Sequence, residues 1–481
     1  MFMKYFMAID IGASSGRHVL GYVKGGRIIT EEIYRFENSL IRKNGHDCWD
    51  TEALFDEILN GLKECRRAGK IPEFVGVDTW AVDYVLLDDR GKMLGDSVSY
   101  RDSRTDGIRM AVEELISPEM LYKKTGIQYQ KFNTIYQLTA LKKEHPKQLD
   151  AASRFLMIPE YMNYRLTGIM QNEYTNATST NMVNTHEKTW DFEIIDKLGI
   201  SREIFGSLAM PGTVLGDFSV EIQKIVGFNS SVILPATHDT GSAFLAVPAE
   251  NDDAVYISSG TWSLLGVENR ESITTSESLK KNFTNEGGAW YRYRYLKNIM
   301  GLWMIQSVRR ELNGTSYIKG NEKRSEKQWS FDELVVEAER AAEFKSVIDV
   351  NKNRFLSPHS MIEEIKDECK CTGQAVPKNV GEIVKCVYLS LAKCYAETIS
   401  ELEELTGRKF KSVNIVGGGC RDEYLNRITA EETKLPVFAG PTEGTAIGNL
   451  IVQMIADGEF SNLNEARKAI KRSFDVKEFK I

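Results

Sequence analysis

Two carboxylates stand where apolar strands give way to small residues, the setting in which a carboxylate meets a polar ligand. Asp10 lies in the apolar stretch Phe6 to Ile11 and is followed by Gly12-Ala13-Ser14-Ser15-Gly16-Arg17. The exposed N–H groups and hydroxyls of such a turn can hold phosphate oxygens, and the same residues also make a tight hairpin between two strands. His238-Asp239 follows the apolar run Val232 to Leu234 and precedes Thr240-Gly241-Ser242-Ala243. A carboxylate in that place can accept the proton of a substrate hydroxyl as it attacks phosphorus. Asp239 also suits the N-cap of a following helix, and His238 a capping or core position.

Other polar clusters are less specific. Asp78-Thr79-Trp80-Ala81-Val82-Asp83 offers an indole that can stack on the apolar face of a sugar, and Tyr100-Arg101-Asp102-Ser103-Arg104 is dense in hydrogen-bonding groups. Both also read as ion-pair networks between loops. Lys297-Asn298 and Gln306 flank an apolar Met and Trp stripe that fits either a helix entering a cleft or ordinary core packing. The pattern G-x-x-x-x-G-K-[ST] is absent, so any nucleotide is held by another device. Cys369-Lys370-Cys371 lacks the second Cys or His pair that a closed metal site needs, and no metal is expected there.

The elements that must position these residues are legible from periodicity. Phe6 to Ile11, Arg17 to Val23 and Arg27 to Phe36 read as a three-stranded meander. Asp50 caps a helix whose apolar positions run from Leu54 to Cys65 at three- and four-residue steps, with Gly69 at its stop. Phe74 to Asp78 and Val82 to Leu87 are further strands, the second closed by the turn at 88–91. Ala254 to Ser258 and Trp262 to Val267 flank Ser259-Gly260-Thr261 and repeat the strand, small turn, strand unit of the N-terminus about half the chain later, which predicts a duplicated architecture. Ile383 to Leu405 is a helix ended by Gly407, followed by the strand Ser412 to Val416, the loop Gly417-Gly418-Gly419 and a helix from Arg421 to Glu432. Strands alternating with helices give an α/β class. The linker is placed at Pro248-Ala249-Glu250-Asn251-Asp252-Asp253, dividing the chain into 1–245 and 246–481.

Composition sets the outer bounds. The 481 residues carry 61 Lys and Arg against 68 Asp and Glu, a net charge of −7, which gives no basic footprint for nucleic acid or anionic lipid. No signal peptide or spanning run of apolar residues is read, so a cytoplasmic protein is expected. Seven cysteines are too few and too scattered for a disulfide framework, although Cys369 and Cys386 are a candidate pair under oxidising conditions. No oligomeric interface is legible, and a monomer or homodimer is expected.

Taken in order, the ladder becomes specific: Asp-Ile-Gly-Ala-Ser-Ser-Gly-Arg (10–17), Gly-Val-Asp-Thr-Trp-Ala-Val-Asp (76–83), Tyr-Arg-Asp-Ser-Arg-Thr (100–105), Glu-Tyr-Thr-Asn-Ala-Thr (173–178), Thr-His-Asp-Thr (237–240), Ser-Ser-Gly-Thr-Trp-Ser-Leu (258–264), Thr-Asn-Glu-Gly-Gly-Ala (284–289), Leu-Lys-Asn-Ile-Met-Gly-Leu-Trp (296–303), Gly417-Gly418-Gly419-Cys420 and Gly444 to Asn449. It resembles the FGGY carbohydrate kinases of the actin-like and chaperone-like ATPase superfamily. The resemblance implies two ribonuclease-H-like domains with a catalytic cleft between them, the first mainly for the sugar and the base, the second mainly for the nucleotide. It implies that Ala13, Ser14, Ser15, Gly16, Arg17 and Thr261 approach the phosphates of ATP, with Gln306 and Gly419 against the nucleotide and Asp10 ordering Mg²⁺ through water. Ala81, His238, Asp239, Thr240 and Asn298 would hold the sugar, and Asp239 would be the base. The family's Trp-Gly-Val-Asp motif carries Ala81 here in place of Gly, one extra methyl beside the sugar. The activity so implied is transfer of the ATP γ-phosphoryl group to the 1-hydroxyl of L-rhamnulose. Against it stand a kinase of fuculose, xylulose or glycerol, and, in another class, a non-catalytic actin-like or chaperone-like ATPase or sugar sensor.

Overall fold

The computed structural model describes residues 3–249, 252–315, 324–356 and 358–480. Glu250 and Asn251 of the expected linker lie outside them. The chain forms two compact units, and neither is contiguous. The first comprises Met1–Glu250, Glu268–Leu296 and Glu443–Phe474; the second comprises Asn251–Val267, Lys297–Thr442 and Asp475–Ile481. The sequence reading divides the chain once, near 245. The structure returns two later segments to the first unit, because Thr284–Gly287 packs on the helix Tyr174–Thr178 and Arg294 bonds to His238 and Thr240, while the helix Gly444–Asp457 packs under the first unit's sheet.

The first unit is built on a six-stranded sheet in the spatial order Val214–Asp217, Ser231–Ile233, Phe74–Thr79, Phe6–Ile11, Ser15–Lys24, Arg27–Glu37. The N-terminal meander is antiparallel, and Phe6–Ile11 then pairs in parallel with Phe74–Thr79. Phe6–Ile11 is buried along its whole length, which explains a run that is apolar on both faces apart from its functional end. The helix Thr51–Arg67 covers one face with Leu54, Phe55, Ile58, Leu59 and Leu62, and the Asp50 side chain accepts from the Ala53 N–H at its start. The helix Gly444–Asp457 covers the other, through Ala446, Ile447, Leu450, Ile451 and Met454.

The central strands of the second sheet repeat this order: Tyr293–Met300, Trp262–Asn269, Ala254–Ser259, Ser412–Val416, Val437–Ala439. Ala254–Ser259 pairs antiparallel with Trp262–Asn269 and parallel with Ser412–Val416. The repeated hairpin is thus a repeated sheet. The helix Val380–Thr406 runs three residues earlier and one later than its periodicity suggests, with Asn379 as N-cap and Gly407 left-handed at its end. Cys369 and Cys386 are both free and buried, their sulfurs 3.9 Å apart. No helix among the described residues is long and apolar enough to cross a membrane.

Candidate active site

Strand register brings the first group of side chains together. Asp10 lies opposite Arg17 on one neighbouring strand and opposite Asp78 on the other. Arg17 donates from Nε to Asp10 Oδ2 at 2.9 Å and reaches Glu443 Oε2 at 2.6 Å. Asp10 holds the Arg17 guanidinium above its ordinary pKa, burial opposes this and Glu443 adds to it. Burial raises the Asp78 carboxyl well above the carboxylate range and Asp10 raises it further, while Asn449 Nδ2, donating to Asp78 Oδ2 at 2.5 Å, acts the other way. Asp78 Oδ1 is buried and has no hydrogen-bond partner among the described residues. Asn449 accepts in turn from Gln453 Nε2 at 2.6 Å, and a Cβ at Gly76 would stand 2.4 Å from Asn449 Oδ1. The glycine therefore makes room for the amide that binds Asp78.

The Gly12–Arg17 turn is closed by the Gly12 N–H donating to Ser15 O and by Asn38, which donates from Nδ2 to Gly12 O and from its backbone to Ser14 O. A Cβ at Gly16 would enter the Phe36 ring, so the strand can pass there only as glycine. Ser14 is exposed, and Ala13 and Ser15 are half-buried.

The second group gathers around Asp239, the first residue of the helix Asp239–Leu245, with His238 at the N-cap position. That helix packs on Gly444–Asp457 so closely that a Cβ at Gly448 would lie 1.8 Å from Ser242 O. Upstream, the buried Glu173 accepts from Thr237 Oγ1 at 2.6 Å and from the Thr237 N–H at 3.2 Å, which fixes the segment entering His238. Arg294 donates from one terminal nitrogen to His238 Nδ1 at 3.1 Å and from the other to Thr240 Oγ1 at 2.6 Å. Arginine only donates, so Nδ1 is the accepting nitrogen and Nε2 carries the proton, donating to Thr240 Oγ1 at 3.0 Å. Burial, then the Arg294 charge, push the His238 pKa well below its usual value, so the ring is neutral. Thr240 Oγ accepts twice, which leaves its own O–H to donate to a ligand.

Arg294 is buried and opposes Glu286 across an antiparallel pair, 3.1 Å from its Oε2. The Asp239 carboxyl is pushed up to about 7, first by burial and then by the Asp10 charge; the Thr240 N–H and Arg294 oppose the shift and Glu286 adds to it. Its side chain nevertheless keeps 28% of its surface open, enough for a small solute to reach it. A half-neutralised, accessible carboxylate beside a hydroxyl donor is suited to general-base work near pH 7.

Between these groups runs the loop after Phe74–Thr79. Val82 has φ +65°, the centre of a tight turn in which the Asp83 N–H donates to Ala81 O at 2.9 Å. A β-branched residue in that region is strained. Asp83 holds the turn: its carboxylate accepts from the indoles of Trp49 (2.6 Å) and Trp80 (3.0 Å), the Tyr100 N–H (3.0 Å) and Gln137 Nε2 (2.9 Å). Trp80 is buried with its ring centroid 4.0 Å from that of Trp49, so it packs on an indole rather than presenting a face to solvent. The 76–83 and 100–105 motifs are thus joined through Asp83, and Ala81 is the half-buried member beside the strained turn.

Thr261, Gln306, Gly419 and Asn298 belong to the second unit. The Gly260 N–H donates to Trp262 O and closes the turn, while Thr261 O accepts from the Gly301 and Trp303 N–H groups. This seats the start of the helix Trp303–Leu312, which carries Gln306, against the turn. On the other side a Cβ at Gly419 would stand 1.9 Å from Ser259 Oγ, and Gly417 is left-handed at φ +88° over Ser259 O. Thr261 is exposed and Gln306 half-buried. Asn298 lies in the strand Tyr293–Met300.

Sequence reading missed Arg294, Asn38, Glu443 and the role of Asn449. Arg294 had a signal: Arg292 and Arg294 alternate with Tyr291, Tyr293 and Tyr295 where the strand Tyr293–Met300 begins. Asn38 and Glu443 had none, since each acts through a contact remote in sequence.

Comparison with known proteins agrees with this geometry. The signatures of the FGGY family of carbohydrate kinases match at 5–246 for its N-terminal domain and 255–456 for its C-terminal domain. A rhamnulokinase of Halalkalibacterium halodurans is 52% identical over 99% of both chains, and one of Oceanobacillus iheyensis is 49% identical over 98% of this chain and 97% of that one. Among solved structures, a gluconate kinase from Lactobacillus acidophilus superposes with a TM-score of 0.79 at 17% identity, covering 100% of this chain and 94% of that one. A xylulose kinase from the same organism gives 0.77 at 18%, covering 99% and 94%. At such identities the structures speak for the fold alone. With both domain signatures matched in order and relatives of about half identity along its whole length, the chain belongs to the FGGY family of carbohydrate kinases.

Proposed function

We propose that this carbohydrate kinase transfers the γ-phosphoryl group of ATP to the 1-hydroxyl of L-rhamnulose, with Asp239 as the base. The observation that carries the choice of sugar is the 52% identity over 99% of both chains to a protein named rhamnulokinase. In this reading Asp239, held near pH 7, takes the hydroxyl proton as the oxygen attacks phosphorus, and neutral His238 and Thr240 orient the sugar. Arg294 fixes the tautomer and position of both and so acts as a positioning residue. Thr261 and the Gly417–Gly419 loop are proposed for the nucleotide, with Gln306 and the Gly12–Arg17 turn. Asn298 and Ala81 are proposed for the sugar.

Hard oxygen donors suited to Mg²⁺ are present: Asp10, and beside it in register Asp78 with its orphaned buried Oδ1. When bound, Mg²⁺ neutralises charge on the phosphates; the two aspartates would hold it through water, as Mg²⁺ usually retains several waters.

The test is ADP release from ATP over a panel of L-rhamnulose, L-fuculose, D-xylulose, glycerol and gluconate, with phosphorus NMR of the product. L-Rhamnulose is expected to lead in kcat/KM by at least about tenfold and to give a 1-phosphate. A different sugar in first place overturns the substrate, and absence of sugar-dependent ADP release overturns the kinase reading for every sugar tried.

A further inference from the structure

Away from the carboxylate cluster, the first unit holds a cavity of about 250 Å³ whose lining includes His46, Cys48, Arg104, Glu144 and His145. Apart from Arg104 of the 100–105 motif, its lining residues take no part in the site above. One ligand atom from each of His46, Glu144 and His145 lies within 4.8 Å of the others.

The fold assembles this trio from distant sequence. Asn44 (φ +50°) and Gly45 (φ +87°) form the turn of a hairpin between Leu40–Lys43 and His46–Trp49, so His46 opens the return strand. Glu144 is the last residue of the helix Thr134–Glu144, and His145 is its C-cap, immediately before Pro146 begins the next helix. His46 is also oriented from behind. Its Nδ1 is 3.0 Å from Asp102 Oδ1, and Asp102, with 2% of its side chain exposed, accepts further from the Asp47 N–H at 2.9 Å and the Arg104 N–H at 2.8 Å. An Nδ1–H donated to a buried carboxylate leaves Nε2 with its lone pair, the arrangement that fixes ligating histidines in zinc sites. Glu144 and His145 make no side-chain hydrogen bond or ion pair among the described residues, so no protein contact has to break for them to ligate.

We propose that His46 Nε2, the Glu144 carboxylate and a ring nitrogen of His145 bind one divalent transition ion of the Zn²⁺ class, with water in the fourth position. Two imidazoles and one carboxylate suit Zn²⁺, whereas Mg²⁺ and Ca²⁺ prefer oxygen ligands throughout. Metal–ligand distances of about 2.0 to 2.2 Å call for ligand atoms closer together than in the metal-free arrangement. Rotation of Glu144 and His145, both exposed, supplies the approach. The ion would tie the hairpin to the helix junction across about a hundred residues of chain, a closure that stabilises the folded state when it binds there alone.

The experiment is calorimetric titration of the chelator-treated full chain with ZnCl₂, in excess Mg²⁺ so that hard oxygen sites are filled. One equivalent of zinc is expected, with at least about tenfold weaker binding in Glu144→Gln and His145→Gln and about 10- to 100-fold weaker binding in Asp102→Asn. Zinc should raise the Tm of the parent protein more than that of His145→Gln at the same zinc concentration. Exposure of Glu144 and His145 keeps those two variants folded, and their metal-free Tm checks it, so the test stands if Asp102→Asn does not fold. No zinc uptake by the parent, or uptake unchanged in both surface variants, overturns the site.

Discussion

The Asp239 assignment makes a quantitative statement about pH. A base must be ionised to accept a proton, and the carboxyl is held at about 7 by burial and by the Asp10 charge. The sugar kcat/KM should therefore fall on the acid side with unit slope around pH 7, to about one-tenth of its plateau at pH 6 and about one-hundredth at pH 5. Asp239→Asn should remove that limb and lower the plateau by about 10² to 10⁴, equivalent to about 3 to 5 kcal/mol of barrier. Arg294 supplies a second test, because its positive charge holds the Asp239 pKa down. Arg294→Met should displace the limb to higher pH while lowering kcat/KM through the loss of His238 and Thr240 positioning. The stability of the same variants follows with a worked sign. The native carboxyl keeps its proton up to about pH 7 and the unfolded one releases it near 3.8, so native stability falls as pH rises between those values. Asp239→Asn should thus raise Tm at pH 8 and leave it unchanged near pH 3.5. The assay is coupled ADP release with ATP saturating as its Mg²⁺ complex, run from pH 5 to 9. An acid limb that persists in Asp239→Asn would refute the assignment, because the titrating group would then be another.

Three further outcomes test the supporting structure. Gly419→Ala places a methyl where Ser259 Oγ stands at 1.9 Å, so ATP KM should rise at least about tenfold, the effect of one misplaced contact of about 1.4 kcal/mol, with the sugar KM little changed. Asp83→Ala orphans two indoles, the Tyr100 N–H and Gln137, and should cost about 3 kcal/mol or more in urea unfolding followed by tryptophan fluorescence. His18 is buried with its pKa lowered to about 4 by burial, against a weaker contrary pull from Ile58 O. The unfolded ring takes up a proton near 6.5 and the native ring does not until about 4, so stability is lost as pH falls through that window, by up to about 3 kcal/mol. His18→Phe should flatten the decline in Tm between pH 6.5 and 4; an unchanged slope would contradict the buried neutral ring.

What the sequence discloses here follows the physical range of each interaction. The meander from Phe6 to Glu37 and the helix from Thr51 to Arg67 are local, set by alternation, a cap and a glycine stop, and they appear where periodicity puts them. The hairpin of Leu40–Lys43 and His46–Trp49 escaped, although Asn44-Gly45 is its turn signal, because its strands are short and polar. The division into units escaped for a different reason. No local feature of Glu268–Leu296 or Glu443–Phe474 tells that they pack with the N-terminal sheet; that is decided by Arg294 meeting His238 and by the Asp239–Leu245 helix lying on Gly444–Asp457. In the candidate site, the motif residues Asp10, Arg17, His238, Asp239 and Thr240 were legible, but not the partners that tune them.

Those partners matter because the site concentrates like charge in a chain that already carries a net −7. On top of burial, Asp10 raises the proton affinity of both Asp78 and Asp239 and Glu286 adds to that of Asp239, while Arg17 pairs with Asp10 and Arg294 with Glu286. The two arginines do different work. Arg17 is committed to Asp10 and Glu443, a cation fixed at the strand end. Arg294 is shared among Glu286, His238 and Thr240, and touches Asp239 only through its field. Asp239, with a backbone donor from Thr240 and no cation bound to it among the described residues, has its carboxyl pushed up to about 7. Asp239 is thus proposed as the base on the distribution of the arginines as much as on the residue itself. Moving a cation next to Asp239 should abolish catalysis as surely as removing the carboxylate: Thr240→Lys is expected to draw the acid limb below pH 6 while losing most of the turnover, and a limb left at 7 would show that the field at Asp239 is not set as described.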